Sequence, residues 1–197
     1  MSTEIVSVVL VGVGGQGILL ATQITARAAM LAGHDVKTNE VHGMAQRGGT
    51  VVAQLRFGKK VYSPLVPEGT ARVLASLERI EALRLSQFLA PGGLAVVSTQ
   101  AIIPVTVSSG QATYPTDVEE RLRRVFPRLV YVDAIGIAER LCDTRTANVI
   151  LLGAMSTALP LPHELWQEAI RLAVKPKFHD INLRAFEEGR VLVPATR

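Results

Sequence analysis

Apolar positions along this chain alternate between short β-branched runs and longer stretches with helical spacing. Residues 4–11 form an almost uninterrupted apolar run, which is typical of a strand buried on both faces. Residues 16–32 place apolar side chains at i, i+3 and i+4, which predicts a helix that Gly33 ends. Residues 35–41 form a second short strand. This β-α-β order predicts that the two strands pair in parallel through a right-handed crossover.

The rest of the chain continues the alternation of strands and helices. Further strands are predicted at 50–57, 72–77, 94–99 and 129–132, with an edge strand at 102–107 that Pro104 interrupts. Further helices are predicted at 78–89, 116–126, 135–141, 147–159, 162–174 and 179–188. The turn residues Gly58, Lys59 and Lys60 precede Val61, which is expected to begin a return strand and so to make the sheet mixed.

Turn residues also set the ends of two predicted helices. Pro91 and the two glycines after it are expected to stop the helix at 78–89, and Gly189 is expected to follow the last helix. We find no internal repeat, low-complexity tract or linker. The pattern predicts a single α/β domain over residues 1–197, a three-layer α/β/α Rossmann-like variant with a mixed, mostly parallel sheet and a helical C-terminus.

Composition narrows the class of protein. Apolar residues make up 48% of the chain, yet no apolar run approaches the roughly 18–20 residues that a membrane helix needs. The chain starts without a basic leader and apolar segment, which favours a cytoplasmic protein. The net charge of +4 is spread along the chain and aromatic residues are only 5%, so nucleic-acid binding is not expected.

Cysteine and histidine usage excludes two kinds of centre. Cys142 is the only cysteine, so the chain holds no internal disulfide and cannot ligate an iron–sulfur cluster alone, because a cluster needs about four thiolates. We expect Cys142 to be a buried, inert thiol on a helix rather than a nucleophile. The histidines lack metal-ligand spacing, so no metal site is predicted.

The glycine loop after the first strand is the first candidate site. Gly12, Gly14 and Gly17 form a Gly-x-Gly-x-x-Gly motif, with Gly15 and Gln16 inside it, between a strand and a helix. The backbone amides at the helix start have no partner within the helix and lie at the positive end of its dipole, which favours an anion. A dinucleotide with Glu40 on its ribose, another phosphate ligand and a purely structural turn all fit the motif.

A second glycine loop follows the second strand. His42, Gln46 and Arg47 lie there among Gly43, Gly48 and Gly49. At the carboxyl end of a strand this loop would lie beside the first one, and Arg47 could grip a carboxylate or phosphate through two hydrogen bonds. The alternative is a self-capping loop in which Arg47 pairs with a nearby carboxylate.

Two other positions have two interpretations each. Asp133 either lines the crevice or caps the helix that begins near residue 135, and Asn148 either caps a helix or contacts a ligand. Arg121, Arg123 and Arg124 are interpreted as a solvated helix face, because acidic residues are interleaved with them.

Both loops, in this order and spacing, together with Tyr62-Ser63-Pro64, resemble the gamma-type component of 2-oxoacid:ferredoxin oxidoreductases. The His-Gly-Met-Ala-Gln-Arg-Gly-Gly form of the second loop is most similar to the beta subunit of indolepyruvate ferredoxin oxidoreductases. The similarity extends to Asp133, to Asn148 and to the region of Asn182. Lys177-Phe178-His179-Asp180 departs from the family pattern, which leaves indolepyruvate, another aryl or branched 2-oxoacid and pyruvate open as substrates.

The resemblance implies a division of labour. A partner subunit would hold thiamine diphosphate, Mg²⁺ and the iron–sulfur clusters, pass electrons to ferredoxin, and use coenzyme A (CoA) as cosubstrate to convert the 2-oxoacid to acyl-CoA and CO₂. This chain would hold no cofactor, be inactive alone and complete the complex, with a homodimer as the alternative when isolated. A free-standing NAD(P)-binding dehydrogenase and a nucleotide-binding regulator are the rival classes.

The resemblance also implies which residues face the active site. These residues are Gly12, Gly14, Gly15, Gln16, Gly17, His42, Gln46, Arg47, Gly48 and Ser63. Glu40, Asp133 and Asn148 are secondary candidates. We expect positioning and electrostatic roles from them rather than general acid–base catalysis.

Overall fold

The computed structural model describes residues 5–42, 49–103, 105–111 and 113–194. One six-stranded sheet organises them, in the order β2-β3-β1-β4-β5-β6. The strands are β1 (Val6–Val13), β2 (Asp35–His42), β3 (Thr50–Gly58), β4 (Ala71–Ser76), β5 (Leu89–Ser98) and β6 (Leu129–Val132). The helices are α1 (Ile18–Leu31), α2 (Arg79–Arg84), α3 (Val105–Ser108), α4 (Val118–Val125), α5 (Ala134–Arg140), α6 (Ala147–Ser156), α7 (His163–Ala173) and α8 (His179–Val191).

Helices cover both faces of the sheet. Because side chains alternate along a strand, Val73 and Ala75 of β4 point into a large core with α1 and α5–α8, whereas Leu74 points into a smaller core with α2 and α4. All eight residues of β1 are buried, as its apolar run predicts. Trp166 of α7 and Phe186 of α8 are among the largest fully buried side chains of the larger core. The predicted α/β fold with a mixed sheet is confirmed.

Two helices match their sequence signals closely. Helix α1 ends before Gly33, whose φ of +81° lets its N–H donate to Met30 O at 2.9 Å. On α4, three exposed i,i+4 ion pairs join acidic and arginine side chains, so the predicted solvated face is confirmed. These pairs are Asp117–Arg121, Glu119–Arg123 and Glu120–Arg124.

The predicted parallel pairing of the first two strands is wrong. Strand β3 lies between β1 and β2 and is antiparallel to both, so the reversal that makes the sheet mixed comes from β3 itself. Residues Val61 and Tyr62 do not form a return strand. Val61 N–H instead donates to the Asp35 carboxylate at 2.9 Å. The connection between β1 and β2 is therefore a crossover over an inserted strand, which local periodicity does not reveal.

The region 78–107 also differs from its prediction. Helix α2 ends at Arg84, and Pro91 with its two glycines lies inside β5 as a bulge, since Ala71 pairs with Leu89 but Val73 pairs with Leu94. Pro and Gly are tolerated there because the bulged residues make no ladder with β4. The edge strand predicted at 102–107 is wrong as well, because Val105–Ser108 is a helical turn.

Two small residues at helix ends behave differently from expectation. Gly189 does not follow the last helix but lies inside α8, where it packs against Ile150 O of α6. Cys142 is exposed, not buried, and lies beyond α5 with a φ of +65°. Its N–H donates to Glu139 O at 2.9 Å, so the residue forms the turn that ends the helix. Among the described helices, none has the length and apolarity to cross a membrane.

Candidate functional site

The glycine loop joins β1 to α1 and is in contact with the end of the second glycine loop. Gly14 N–H donates to Gly49 O at 2.9 Å, which places Gly49 beside the first loop. Gly15 and Gly17 have φ values of +98° and +80°, a backbone region that favours glycine. Gly17 is the N-cap of α1 and provides no side-chain cap, and the first turn of α1 contains no acidic residue. The helix start is therefore not neutralised by side chains of its own first turn.

Gln16 ties the loop to the neighbouring strands. Its Oε1 accepts from Val13 N–H at 2.6 Å, and its Nε2 donates to Leu77 O and to Gln100 Oε1, both at 2.8 Å. A Cβ on Gly12 would lie 2.6 Å from Gln16 Oε1, so glycine is required for this arrangement. The Gln16 amide is thus committed to holding the carboxyl ends of β1, β4 and β5 together.

Asn148 connects α6 to the same loop. The residue is buried, and its Nδ2 donates to Gly17 O at 3.0 Å. Its Oδ1 is buried and has no hydrogen-bond partner among the described residues. A Cβ on Gly17 would collide with the Asn148 amide. Asn148 therefore braces the N-terminus of α1 from the first turn of its own helix.

A cleft of about 410 Å³ opens beside this brace. It is lined by Gly15, Gly17, Gln100, Ile135, Arg145 and Asn148, among others. Such a volume is in the range of small-molecule sites. Arg145 is the one cationic residue among the described residues that line the cleft.

Arg145 is fixed at the rim of this cleft. Its Nε and Nη2 donate to the two carboxylate oxygens of Asp143, at 2.8 and 2.6 Å, and its guanidinium lies 4.9 Å from the centroid of the Phe178 ring. The hydrogen bond from Arg145 lowers the pKa of Asp143, and the same bond raises the pKa of Arg145. The pair is partly exposed, so it orients the guanidinium more than it stabilises the fold.

The other predicted residues lie at varying distances from this cluster. Asp133 caps α5, because its Oδ1 accepts from Gly136 N–H at 2.9 Å. Glu40 is exposed on β2, two strands away from β1, or roughly 10 Å across the sheet. In a dinucleotide-binding fold, the acidic residue that binds the ribose lies on the strand next to β1. The position of Glu40 therefore differs from that of a dinucleotide site.

Ser63 lies away from the glycine loop. Its carbonyl oxygen accepts from Arg56 at 3.2 Å, and Arg56 pairs with Ser7 near the start of β1. Six residues of β3, or roughly 20 Å, separate Arg56 from Thr50, which pairs with Val13 beside the loop.

The second glycine loop can be followed only at its two ends. His42 pairs with Val51 through its backbone, and Gly49 contacts Gly14. The side chain of His42 and residues Gln46, Arg47 and Gly48 lie outside the described part of the structure. Their predicted roles stay predictions.

Sequence reasoning missed a buried polar cluster at the end of β4. The Glu78 carboxylate is 2% exposed, accepts from Ile80 and Glu81 N–H at 2.6 and 2.9 Å, and accepts from Tyr114 OH at 3.0 Å. Arg79 Nε donates to the same Tyr114 oxygen at 3.0 Å. Burial, as the largest cause, raises the pKa of Tyr114. An acidic residue directly after a buried strand was the available signal.

No group of three or more His, Cys, Asp or Glu side chains in the described ranges is arranged to hold a metal ion. The features of the site are instead an uncapped helix start, a bracing amide and an oriented guanidinium. Such groups bind and position an anionic ligand.

Comparison with known proteins assigns this chain to a family. Residues 7–192 match the sequence profile of the family described as pyruvate ferredoxin/flavodoxin oxidoreductase. The chain is 45% identical over 188 residues to the indolepyruvate oxidoreductase subunit IorB of Thermococcus kodakarensis, a match that covers 93% of each chain.

Solved structures share the fold. The gamma subunit of a keto/oxoacid ferredoxin oxidoreductase from Geobacter sulfurreducens superposes with a TM-score of 0.71 at 22% identity, over 95% of both chains. The 2-oxoglutarate:ferredoxin oxidoreductase of Magnetococcus marinus, solved with 2-oxoglutarate, CoA and succinyl-CoA, matches 97% of this chain with 31% of its own, at a TM-score of 0.72 and 19% identity.

The chain thus shares its α/β fold with the gamma subunit of a keto/oxoacid ferredoxin oxidoreductase. The chain belongs to the pyruvate ferredoxin/flavodoxin oxidoreductase family, which confirms the resemblance found in its two glycine loops.

Proposed function

We propose that this chain is the small, non-cluster subunit of a 2-oxoacid:ferredoxin oxidoreductase that acts on indolepyruvate or a related aryl 2-oxoacid. A partner subunit holds thiamine diphosphate, Mg²⁺ and iron–sulfur clusters, and passes electrons to ferredoxin. The enzyme converts the 2-oxoacid to acyl-CoA and CO₂. The match to an indolepyruvate oxidoreductase subunit over nearly the full length of both chains supports this substrate class.

The observation that carries the proposal is the uncapped start of α1 facing the cleft. Its amides have no acidic neighbour in the first turn, and hydrogen bonds from Asn148 and Gln16 fix the loop. An external anion is the group that such a helix start accepts, and CoA contributes phosphates. In this role the chain forms the CoA side of a reaction chamber whose other side belongs to the partner.

Thiamine diphosphate on the partner supplies the electron sink for decarboxylation. Neither the single cysteine nor the described carboxylates and histidines of this chain form a set that fits a metal or a cluster. Its own residues bind and orient: Gly15, where a Cβ would meet no atom, lets the ligand approach the backbone, and Arg145 presents an oriented positive charge at the rim. Arg47 on the second loop is proposed to contact the substrate side of the chamber.

Reconstitution tests the subunit assignment. The chain purified alone is expected to show no oxidation of indolepyruvate, whereas co-expression with the thiamine- and cluster-bearing subunit yields a brown complex that reduces ferredoxin. Arg47→Ala in the complex is expected to lower kcat without loss of assembly. Oxidation by the chain alone, or saturable NAD(P)H binding to it, would contradict the proposal. Parallel assays with pyruvate and 2-oxoisovalerate determine which class of 2-oxoacid the complex oxidises fastest.

A charge placed at the helix start tests the CoA role. A Cβ on Gly15 meets no atom within 4 Å, so Gly15→Asp adds a carboxylate beside the α1 amides without a clash. We expect the KM for CoA to rise about fivefold to tenfold, because a like charge about 4 Å away costs about 1 kcal/mol where water screens it fully. The KM for the 2-oxoacid is expected to stay unchanged.

Two matched variants serve as controls. Gly15→Asn has the same shape and backbone strain without the charge. Gly33→Asp adds the same carboxylate at a positive-φ glycine with equally open surroundings, at the opposite end of α1. Equal effects of Gly15→Asp and Gly15→Asn on the KM for CoA would show that strain, not charge, is responsible, and would remove CoA from this site.

A further inference from the structure

A second cleft lies at the other end of the strands from the glycine loop. Its volume is about 460 Å³, and it is formed where β1, β4 and β5 begin. Val6 lines it, and Val6 is seven residues along β1 from Val13, or roughly 23 Å from the glycine loop. The two clefts are therefore separate sites.

The bulge in β5 shapes this cleft. Between the pairs Ala71–Leu89 and Val73–Leu94, β4 advances by two residues while β5 advances by five. The extra residues include Pro91 and Gly92, and they form one wall. A bulge of this kind bends a strand and terminates its pairing, and such bulges are frequent beside functional sites.

Two arginines line the cleft, and each is held by a backbone carbonyl. Arg72 Nε donates to Ala158 O at 2.6 Å, and Arg128 Nη1 donates to Gly92 O at 2.8 Å. Each guanidinium keeps other N–H groups beyond these single bonds. The lining contains no acidic residue.

Of the twelve other arginines in the described ranges, six form ion pairs with described carboxylates and six do not. The paired ones are Arg84, Arg121, Arg123, Arg124, Arg145 and Arg190. The cleft is distinguished by having two unpaired arginines in one lining whose described residues include no carboxylate. Arg72 and Arg128 form no ion pair with any described residue. A neutral hydrogen-bonding group lies in the same lining: Ser7 is 3% exposed, and its hydroxyl forms no hydrogen bond with another described residue.

We propose that this cleft, here called the basal cleft, binds the phosphate or carboxylate group of a small organic anion. Two oriented guanidinium groups without a carboxylate match such a group, since each can donate two parallel hydrogen bonds to it. The Ser7 hydroxyl is a further donor. The cleft volume leaves room for an organic body beside the anionic group.

Calorimetric titration of the full chain tests the site, with glycerol 3-phosphate, succinate and inorganic phosphate as separate probes. Saturable binding of glycerol 3-phosphate identifies a phosphate ester as the ligand chemistry, and saturable binding of succinate identifies a carboxylate. Inorganic phosphate is expected to bind more weakly than the preferred organic probe. Absence of saturable binding of all three at millimolar concentration would overturn the proposal.

Substitutions locate the binding. Arg72→Met and Arg128→Met are each expected to weaken it about tenfold or more, the effect of losing charge-assisted hydrogen bonds. Arg124→Met makes the same change of net charge on the exposed face of α4 and is expected to leave the affinity unchanged. An equal loss in Arg124→Met would show a general charge effect and contradict the site.

A second readout does not depend on the arginine variants being folded. In the wild-type chain, the amide resonances of Gly92 and Gly93 are expected to shift on titration, whereas that of Gly15 stays in place. Shifts at Gly15 alone would assign the anion to the glycine-loop cleft and overturn the proposal.

Discussion

Several glycines of this protein leave no room for a side chain, and the atoms that block a Cβ differ between the loop after β1 and the crossing of α6 and α8. In the loop after β1, the obstacle to a Cβ on Gly17 is the side-chain amide of Asn148. At the crossing of α6 and α8, the obstacle to a Cβ on Gly153 is the carbonyl of Phe186, and Gly189 meets the carbonyl of Ile150. A side chain can rotate away, but a carbonyl within a helix cannot. The loop glycines therefore shape a site, whereas the helix glycines set how closely two helices approach.

The largest effect is expected at the helix crossing. Gly153→Ala or Gly189→Ala forces α6 and α8 apart, because the new Cβ collides with a helical carbonyl, and we expect a loss of about 3 kcal/mol in the free energy of unfolding. Urea denaturation measures it. Gly136→Ala is the control, since its obstacle is the side chain of Asp133 and alanine favours a helix, so the loss there is expected to be about 1 kcal/mol or less. Equal losses of stability at all three positions would show that a helical carbonyl and a side chain are equally costly obstacles to a Cβ, and would contradict the comparison.

A double-mutant cycle is expected to separate the two regions next. Gly17→Ala costs about 2 kcal/mol from positive φ and the contact with Asn148, and Asn148→Ala costs about 1 kcal/mol from the lost bond to Gly17 O. In the double variant the collision is gone, so the combined loss is smaller than the sum. Additive losses in chemical denaturation would show that Asn148 does not press on the loop. No side-chain truncation is expected to rescue Gly153→Ala.

Removing the brace at Gln16 is expected to have an intermediate effect. Gln16→Ala leaves Val13 N–H without its partner and removes the links to Leu77 and Gln100, at a cost of about 1–2 kcal/mol. In the reconstituted complex the same variant is expected to raise the KM for CoA, because the loop is no longer fixed. The KM for CoA and the unfolding midpoint are measured for this variant and for Gly136→Ala. A rise in KM for Gln16→Ala alone would assign the effect to the loop and not to general destabilisation. An unchanged KM would mean that Gln16 holds only the fold.

The smallest effect is expected at the rim of the cleft. Arg145 lowers the pKa of Asp143 in the folded chain below its ordinary value of 3.8, so the unfolded state binds more protons in acid. The ion pair therefore adds to the free energy of unfolding at neutral pH. This contribution is lost as the pH falls through the folded pKa. Asp143→Asn removes it. Unfolding curves from pH 6 to pH 3 are expected to show a slightly steeper acid loss for the wild type than for the variant, with a difference at neutral pH of about 0.5 kcal/mol or less. A steeper loss in the variant would contradict the sign.

Much of the fold could be predicted because the signals were local. The apolar run of β1, the spacing along α1 and the stop at Gly33 each depend on neighbouring residues. The insertion of β3 between β1 and β2 could not be predicted in this way, because strand order depends on contacts between distant segments. Pro91 and the two glycines after it predict a helix stop but form a bulge, because the same residue types end helices and interrupt strands.

The candidate site shows the same limit. The glycine spacing located the loop, but the motif alone did not show that Gln16 would be used for bracing or that Asn148 would reach Gly17 from α6. Those bonds join residues that are 61 and 131 positions apart. Ser63, which entered through its family motif, lies against β3 near Arg56. Long-range packing, not local chemistry, decided these positions.

The turn after α5 has a practical consequence. Cys142 is the only sulfhydryl of the chain, it is exposed, and it stands two positions before Thr144, which lines the glycine-loop cleft. A maleimide fluorophore or a nitroxide attached to Cys142 would label a single site next to that cleft, and its signal would respond to changes there. Ligand entry and the arrival of a second polypeptide could then be followed in real time on the unmutated chain.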